Sequence, residues 1–151
     1  MGTLRASGTT LVDAPAHVVF DILADPRQHA RIDGSGSVRE AVAGPDRLTL
    51  GSRFAMSMKL GAPYRISNRV VEFEPDRLIA WRHFGAHRWR YELEPDGDRT
   101  RVTETWDASR YNAVGQAALR LLGFPRRNQR GIDATLVRLK RAAEADAAAH
   151  G

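Results

Sequence analysis

Chemistry concentrates between Leu78 and Trp106, where the run LIAWRHFGAHRWRYELEPDGDRTRVTETW holds all three tryptophans of the chain and two of its five histidines. Ile79, Trp81 and His83 alternate with polar residues, as do Trp89, Tyr91 and Leu93, then Val102, Glu104 and Trp106. The intervening positions are Arg82, Arg88, Arg90, Glu92, Glu94, Arg101, Thr103 and Thr105. Period-two alternation of this kind predicts three consecutive antiparallel strands with one face buried and one in water. Opposed residues of an antiparallel pair share a face, so Trp81 and Trp89 both point inward only across a loop of odd length. Phe84-Gly85-Ala86 satisfies this and pairs His83 with His87, Trp81 with Trp89 and Ile79 with Tyr91. The turn around Pro95-Asp96-Gly97-Asp98 must be even, which pairs Leu93 with Val102, Tyr91 with Glu104 and Trp89 with Trp106. Three rows result: Trp81–Trp89–Trp106, Ile79–Tyr91–Glu104 and His83–His87–Ala108.

Those rows put a carboxylate and two imidazoles beside indoles on an inward face. A carboxylate there needs a partner, because burial without one is costly. Glu104 therefore either binds an arginine, Tyr91 or a histidine, or anchors a ligand, or acts as a general acid/base with its pKa raised by burial. His83 and His87 meet near the rim, where they are either satisfied rim residues or basic partners of Glu104 in an aldol-type cyclisation or dehydration. The catalytic candidates are thus Glu104, His83 and Tyr91. Two histidines and one carboxylate two rows apart match no metal-ligand spacing, so no metal is expected. No Gly-rich phosphate loop, G-x-S-x-G elbow, H-E-x-x-H or paired-carboxylate pattern occurs, and no cofactor is expected.

Length and composition bound the remaining possibilities. The 151 residues, 42% of them hydrophobic and 27% charged, suit a single domain spanning 1–151, large enough for its own core. There is no cysteine, which removes disulfides, thiol nucleophiles and thiolate metal sites. The net charge of +5 is arginine-based, since Lys59 and Lys140 are the only lysines. The stretch MGTLRASGTTLV has no long apolar run, so neither a secretory signal nor a stable membrane insertion is expected, and the location is read as cytoplasmic. Nucleic acid is not an expected partner, because a stacking platform needs exposed aromatics beside basic groups and these aromatics lie inward. Monomer and homodimer both remain open.

The elements that must position these residues follow in order. Residues 3–12 read as a strand. Asp13 precedes Ala14-Pro15 as a helix cap, and Val18, Val19, Ile22 and Leu23 form a short amphipathic helix. A second short helix runs from about Pro26 to Ile32 and ends at Asp33-Gly34-Ser35-Gly36. His17 and His29 are expected on the helix surfaces. Residues 38–43 form a strand turned by Gly44-Pro45-Asp46. LTLGSRFAMSMKL then alternates through Leu48, Leu50, Phe54, Met56, Met58 and Leu60, with Gly51 as a bulge or bend. After Gly61-Ala62-Pro63, Tyr64, Ile66 and Asn68 share one face, and the phase break at Val71 and Phe73 predicts a bulge near Val70. Beyond Asp107-Ala108-Ser109 the period becomes helical. Tyr111–Leu122 is apolar on most sides, and Gly123-Phe124-Pro125 interrupts it. A final helix of about Arg126–Ala147 aligns Ile132, Leu136, Leu139 and Ala143. Arg126, Arg127, Arg130, Arg138 and Arg141 fall on its opposite side, as the solvated back of a packed helix.

The class is α+β: a curved antiparallel sheet of about seven strands wrapped around a long C-terminal helix, a helix-grip arrangement with two short helices after the first strand. A sheet gripping one helix tends to leave a cavity. The segments LVDAPAHVVFDILADPRQHARIDGSGSV, VVEFEPDRLIAWRH and HRWRYELEPDGDRTRVTETWD, in that order and spacing, resemble the SRPBCC superfamily. This is the START-like, birch-pollen-allergen-like group that includes the polyketide cyclase/dehydrase and lipid-transport families. The resemblance covers nearly the whole chain and implies an internal site for lipids, hormones or polyketides. It implies no catalytic residue, because the group shares no catalytic motif. By parity the cavity wall gathers Phe54, Met56, Met58, Trp81, His83, Trp89, Tyr91, Glu104 and Trp106, with Tyr111 and Leu122 from the following helix; the alternative is that these residues fill the core. Three functions are compatible with this. One is binding or transport of a small hydrophobic ligand. Another is a cyclase/dehydratase-type enzyme using Glu104 with His83 or Tyr91. The third is an interaction module with a filled core.

Overall fold

Strand alternation dominates the computed structural model, which describes residues 4–35, 38–60, 62–83 and 85–150; Gly36, Gly61 and Phe84, placed by the sequence in loops, lie outside them. Seven strands make one antiparallel sheet: β1 (Arg5–Val12), β2 (Val38–Ala43), β3 (Arg53–Leu60), β4 (Ala62–Glu74), β5 (Leu78–Arg82), β6 (Arg88–Asp96) and β7 (Arg99–Asp107). Their order across the sheet is β1-β7-β6-β5-β4-β3-β2, so β2 to β7 form a meander and β1 closes onto its far end. Trp81 pairs with Trp89 and Ile79 with Tyr91. Trp89 pairs with Trp106, Tyr91 with Glu104 and Leu93 with Val102. Both loop parities therefore hold, and a register shift between Val70 and Glu72 supplies the bulge.

α1 (Ala16–Leu23), a 3-10 turn (Pro26–Gln28) and α2 (His29–Ile32) follow β1, while α3 (Ala113–Leu121) and α4 (Phe124–His150) follow β7. α4 buries Ile132, Leu136, Leu139 and Ala143, the stripe read from the sequence. Gly8 on β1 sets the closeness of this packing, because a Cβ there would lie 3.1 Å from Ile132 and Leu136 side-chain carbons. Gly34 does the same for the loop after α2: a Cβ would come within 2.4 Å of the Thr135 backbone nitrogen. Its N–H donates to Thr135 Oγ1 at 2.8 Å, which pins that loop to α4.

Five expectations need correction. Asp13 does not cap α1: Pro15 occupies the N-cap position, and the Asp13 N–H donates instead to Glu144 on α4. Gly51 lies in a turn at φ +83°, ahead of β3, so the apolar run from Leu48 is broken there and Leu50 is exposed. His29 is buried rather than on the surface, because α2 is tucked between the sheet and α4. α3 carries no fully buried residue, and most of its apolar side chains, Val114, Ala117, Ala118 and Leu121, face outward. The strand pairing stops at Trp81 with Trp89, leaving His83 and His87 in the connection instead of a continued ladder with Ala108.

On the convex face an ion-pair network crosses the sheet. Arg90 on β6 bonds Glu72 on β4 at 2.8 Å and Asp107 on β7 at 3.2 Å. Arg88 joins Glu72 at 2.9 Å. The buried Asp107 also accepts from the Ser109 N–H and hydroxyl, which turns the chain out of β7 towards α3. Against the opposing effect of burial, the Ser109 hydrogen bonds, then Arg5 and Arg90, hold the Asp107 carboxyl far below the usual carboxylate range.

Candidate functional site

Between the concave sheet face and α4 lies a cavity of about 900 Å³. This is within the range of roughly 300–1,000 Å³ typical of small-molecule sites. Three cross-strand pairs of β3 and β4 build one wall: Phe54 with Asn68, Met56 with Ile66 and Met58 with Tyr64. The indole row Trp81, Trp89 and Trp106 builds the next, with Tyr91 and Glu104 beside it. Leu119, Phe124, Asn128, Gly131 and Thr135 close the helical side, and the exposed Lys59, Arg127 and Arg130 stand at the mouth.

Of the eleven residues expected in the wall, ten line the cavity: Phe54, Met56, Met58, Trp81, His83, Trp89, Tyr91, Glu104, Trp106 and Tyr111. Leu122 does not. It sits at the C-cap of α3 and is 72% exposed, while Leu119, on the inner side of the same helix, takes the inward place. One further expectation changes, and the buried His29 proves to belong to the wall. Arg127 and Arg130, read as part of a solvated helix back, flank the opening, because α4 begins beside it. His29, read as a surface residue, stacks on Trp81 with ring centroids 4.7 Å apart and meets Phe54 edge-on at 5.4 Å. Its Nε2 donates to the Leu23 carbonyl at 2.9 Å, leaving Nδ1 as an acceptor. Burial lowers its pKa, so the imidazole is neutral near pH 7. The sequence held one signal for this: His29 falls three residues before Ile32, on the face of a short helix that must pack somewhere.

Glu104 is the sharpest feature of the wall. It is 3% exposed, and its Oε1 has no hydrogen-bond partner among the described residues. Among the described residues no arginine pairs with it. Burial pushes its carboxyl up to about 8, the Tyr91 hydroxyl opposes this by hydrogen bonding to it, and Asp33 and Asp133 push it further. Burial, then Glu104, holds the Tyr91 phenol well above its usual range. At neutral pH the pair is therefore largely a carboxylic acid beside a phenol, two proton donors in an apolar wall. Asn68, also buried, has no hydrogen bond to the described residues.

At the rim, His87 Nε2 lies 3.2 Å from His83 Nε2, and His87 Nδ1 lies 3.0 Å from the Tyr111 hydroxyl. Two imidazole nitrogens at that distance bond only if one carries the proton, so the pair is singly protonated across its contact. Burial, then the proximity of His87, lowers the His83 pKa to about 4, and burial lowers that of His87. Gly85, at φ +82°, permits this closeness, since a Cβ there would collide with the Tyr111 hydroxyl. Among the described residues no cluster of three metal-ligating side chains occurs.

Residues 3–144 match the family described as polyketide cyclase / dehydrase and lipid transport. The chain belongs to that family. Membership of the polyketide cyclase / dehydrase and lipid transport family agrees with the SRPBCC resemblance and with a helix-grip architecture enclosing a ligand-sized space. The chain is 44% identical over 142 residues to the uncharacterized protein Rv0088 of Mycobacterium tuberculosis, with 91% of this chain and 63% of that protein covered. It thus spans about 63% of the length of the curated relatives it matches. Among solved structures, a protein from Arthrobacter aurescens superposes with a TM-score of 0.72 at 20% identity, covering 95% of this chain and 87% of that one. The Nitrosomonas europaea protein NE0264 gives 0.70 at 18% identity, covering 96% and 97%. The Aha1 dimer protein of Colwellia psychrerythraea gives 0.65 at 14% identity, covering 93% and 96%. At these identities the likeness to solved family structures is one of fold.

Proposed function

We propose that the chain binds or carries a small hydrophobic molecule with a lipid, aromatic or polyketide-like body and one or two polar groups. The observation that supports this most is the cavity of about 900 Å³ whose apolar wall contains a buried Glu104 with its Oε1 unpartnered among the described residues. A polar group left unsatisfied at such depth costs stability unless something in the cavity satisfies it. A ligand carbonyl or hydroxyl placed against the neutral Glu104 acid supplies that partner, and Asn68 offers a second. The indoles and methionines take the apolar body, with methionine adapting to varied shapes. The open space of this size speaks against a filled-core interaction module.

Native mass spectrometry of the purified protein, followed by organic extraction, tests the reading. A stoichiometric hydrophobic molecule is expected, and it should be absent from Met58→Trp, a half-buried wall position where the larger ring blocks the space at little risk to the fold. A bare mass for the parent protein, together with no binding when the major extracted lipids and aromatic metabolites of the host are added back, would remove the proposal.

A second reading, a cyclase or dehydratase-type enzyme, is favoured by the Glu104 acid poised near neutral pH. Such an acid donates to a ketone oxygen as carbon–carbon bond formation makes it an alkoxide, or to a hydroxyl departing as water, while a base removes the α-proton. His83, joined to His87 and Tyr111, is the candidate base. Conversion of an extracted ligand, lost in Glu104→Gln while binding persists, would establish it; binding without turnover leaves the carrier.

A further inference from the structure

α3 departs from the pattern of every other helix in the fold, because its apolar stripe faces away from the core. Val114, Ala117, Ala118 and Leu121 recur at the i, i+3, i+4, i+7 spacing of one helical face, and all four are exposed. Val114 is 79% exposed and Leu121 is 88% exposed, with Leu122 continuing the stripe at the C-cap. On the opposite side Leu119 lines the cavity. One helix thus carries the cavity on its inner face and an uncovered apolar surface on its outer face.

Charge singles out the same segment. Residues 108–132 contain Arg110, Arg120, Arg126, Arg127 and Arg130 and neither aspartate nor glutamate. The net charge of the whole chain is +5, so these five arginines equal it and the rest of the chain balances to zero. Arg110 is engaged with Asp107 at 3.5 Å, while Arg126, Arg127 and Arg130 lie exposed on the first turns of α4 beside the cavity mouth. Arg127 stands 5.9 Å from the Phe124 ring centroid, at the junction of the apolar and basic surfaces.

From this juxtaposition we infer that the outer face of α3, with the arginines that follow it, docks peripherally on an anionic lipid bilayer. An exposed apolar stripe flanked by cations fits the boundary between acyl chains and anionic headgroups, where apolar burial and electrostatic attraction act together. Docking leaves the helix parallel to the surface and brings the cavity mouth to it; none of the described helices is long and apolar enough to span. Bilayer attachment does not depend on what the cavity holds, so its test stands apart from the ligand reading.

Sedimentation of the full chain with phosphatidylcholine vesicles, with and without phosphatidylglycerol, tests the inference. Binding is expected only with phosphatidylglycerol, and it should weaken as salt is raised. Leu121→Asp should weaken it at least about tenfold, by removing apolar burial and adding repulsion. The combined R126E/R130E variant should weaken it comparably; both sets of side chains are exposed, so the melting temperature should hold. Failure to sediment with phosphatidylglycerol vesicles overturns the inference, as does binding that Leu121→Asp leaves intact. A concentration-dependent dimer abolished by Leu121→Asp, without vesicle binding, assigns the stripe to a second copy of the chain and overturns it equally.

Discussion

Glu104 shows how one side chain links stability to function. Its pKa is raised from 4.5 to about 8. The folded state therefore binds more protons than the unfolded state between those values, and stability falls as pH rises through them. His29, His83 and His87 act in the opposite sense: their lowered pKa values make stability rise with pH through their unfolded value of 6.5, a gain that fades within about one pH unit above it. Between pH 6.5 and 8 the two effects therefore oppose each other, and substituting Glu104 removes only its own. Over that window Glu104 alone should cost the protein on the order of 1–2 kcal/mol, a few degrees of melting temperature, and Glu104→Gln should shift the slope upward by that amount. Thermal melts of both proteins at pH 6.5, 7.2 and 8 decide it; an unchanged slope in the variant would mean that Glu104 is already ionised at pH 6.5. The carboxylate and its Tyr91 neighbour were legible from strand parity. The lack of an arginine partner among the described residues was not, because 23 basic residues offer many candidates and spacing does not say which of them arrives.

At the scale of elements, the site depends on a close approach of chain to helix that only glycine allows, at Gly34. The loop carrying Asp33 and Ser35 into the cavity wall is seated on α4 at Gly34, within bonding distance of Thr135. Gly34→Ala should lift that loop and cost about 1–3 kcal/mol, through overpacking and strain on the Gly34–Thr135 hydrogen bond. A urea midpoint lowered together with altered fluorescence of Trp81, whose stacked partner His29 lies on the adjoining α2, checks both effects; an unchanged midpoint would mean that α4 yields freely there. Strand pairs were readable residue by residue, since period two and loop parity leave little freedom. The helices were not: α3 and α4 were found, but which face of α3 met the sheet was misjudged. A short helix that is apolar on most sides does not encode its own orientation.

Considered as a whole molecule, the fold spends its concave face on a space instead of a packed core. That arrangement is suboptimal when empty, so a bound ligand should raise stability by mass action. At a free concentration one hundred times the dissociation constant the gain is about 2.7 kcal/mol, or roughly 5–10 °C in melting temperature for a protein of this size. Protein stripped by organic extraction and refolded should melt correspondingly lower, and returning the extracted molecule should restore it; Met58→Trp should show neither change. Equal melting before and after extraction would argue that the cavity is empty as purified.

Periodicity determined the pairing register of β5, β6 and β7 as far as Trp81 with Trp89, the buried stripe of α4 and the face on which ten of the eleven residues proposed for the wall lie, because alternation and loop parity are local properties that sequence spacing fixes. The tertiary structure decided three things that spacing does not carry. It buried His29 against Trp81 by docking α2 under α4, and turned the apolar stripe of α3 outward. It also left Glu104 without a counter-ion among the described residues, while Arg88 and Arg90 pair on the convex face and Arg127 and Arg130 stand at the cavity mouth. Each is a matter of which surfaces of distant segments meet, and that is set by packing in three dimensions.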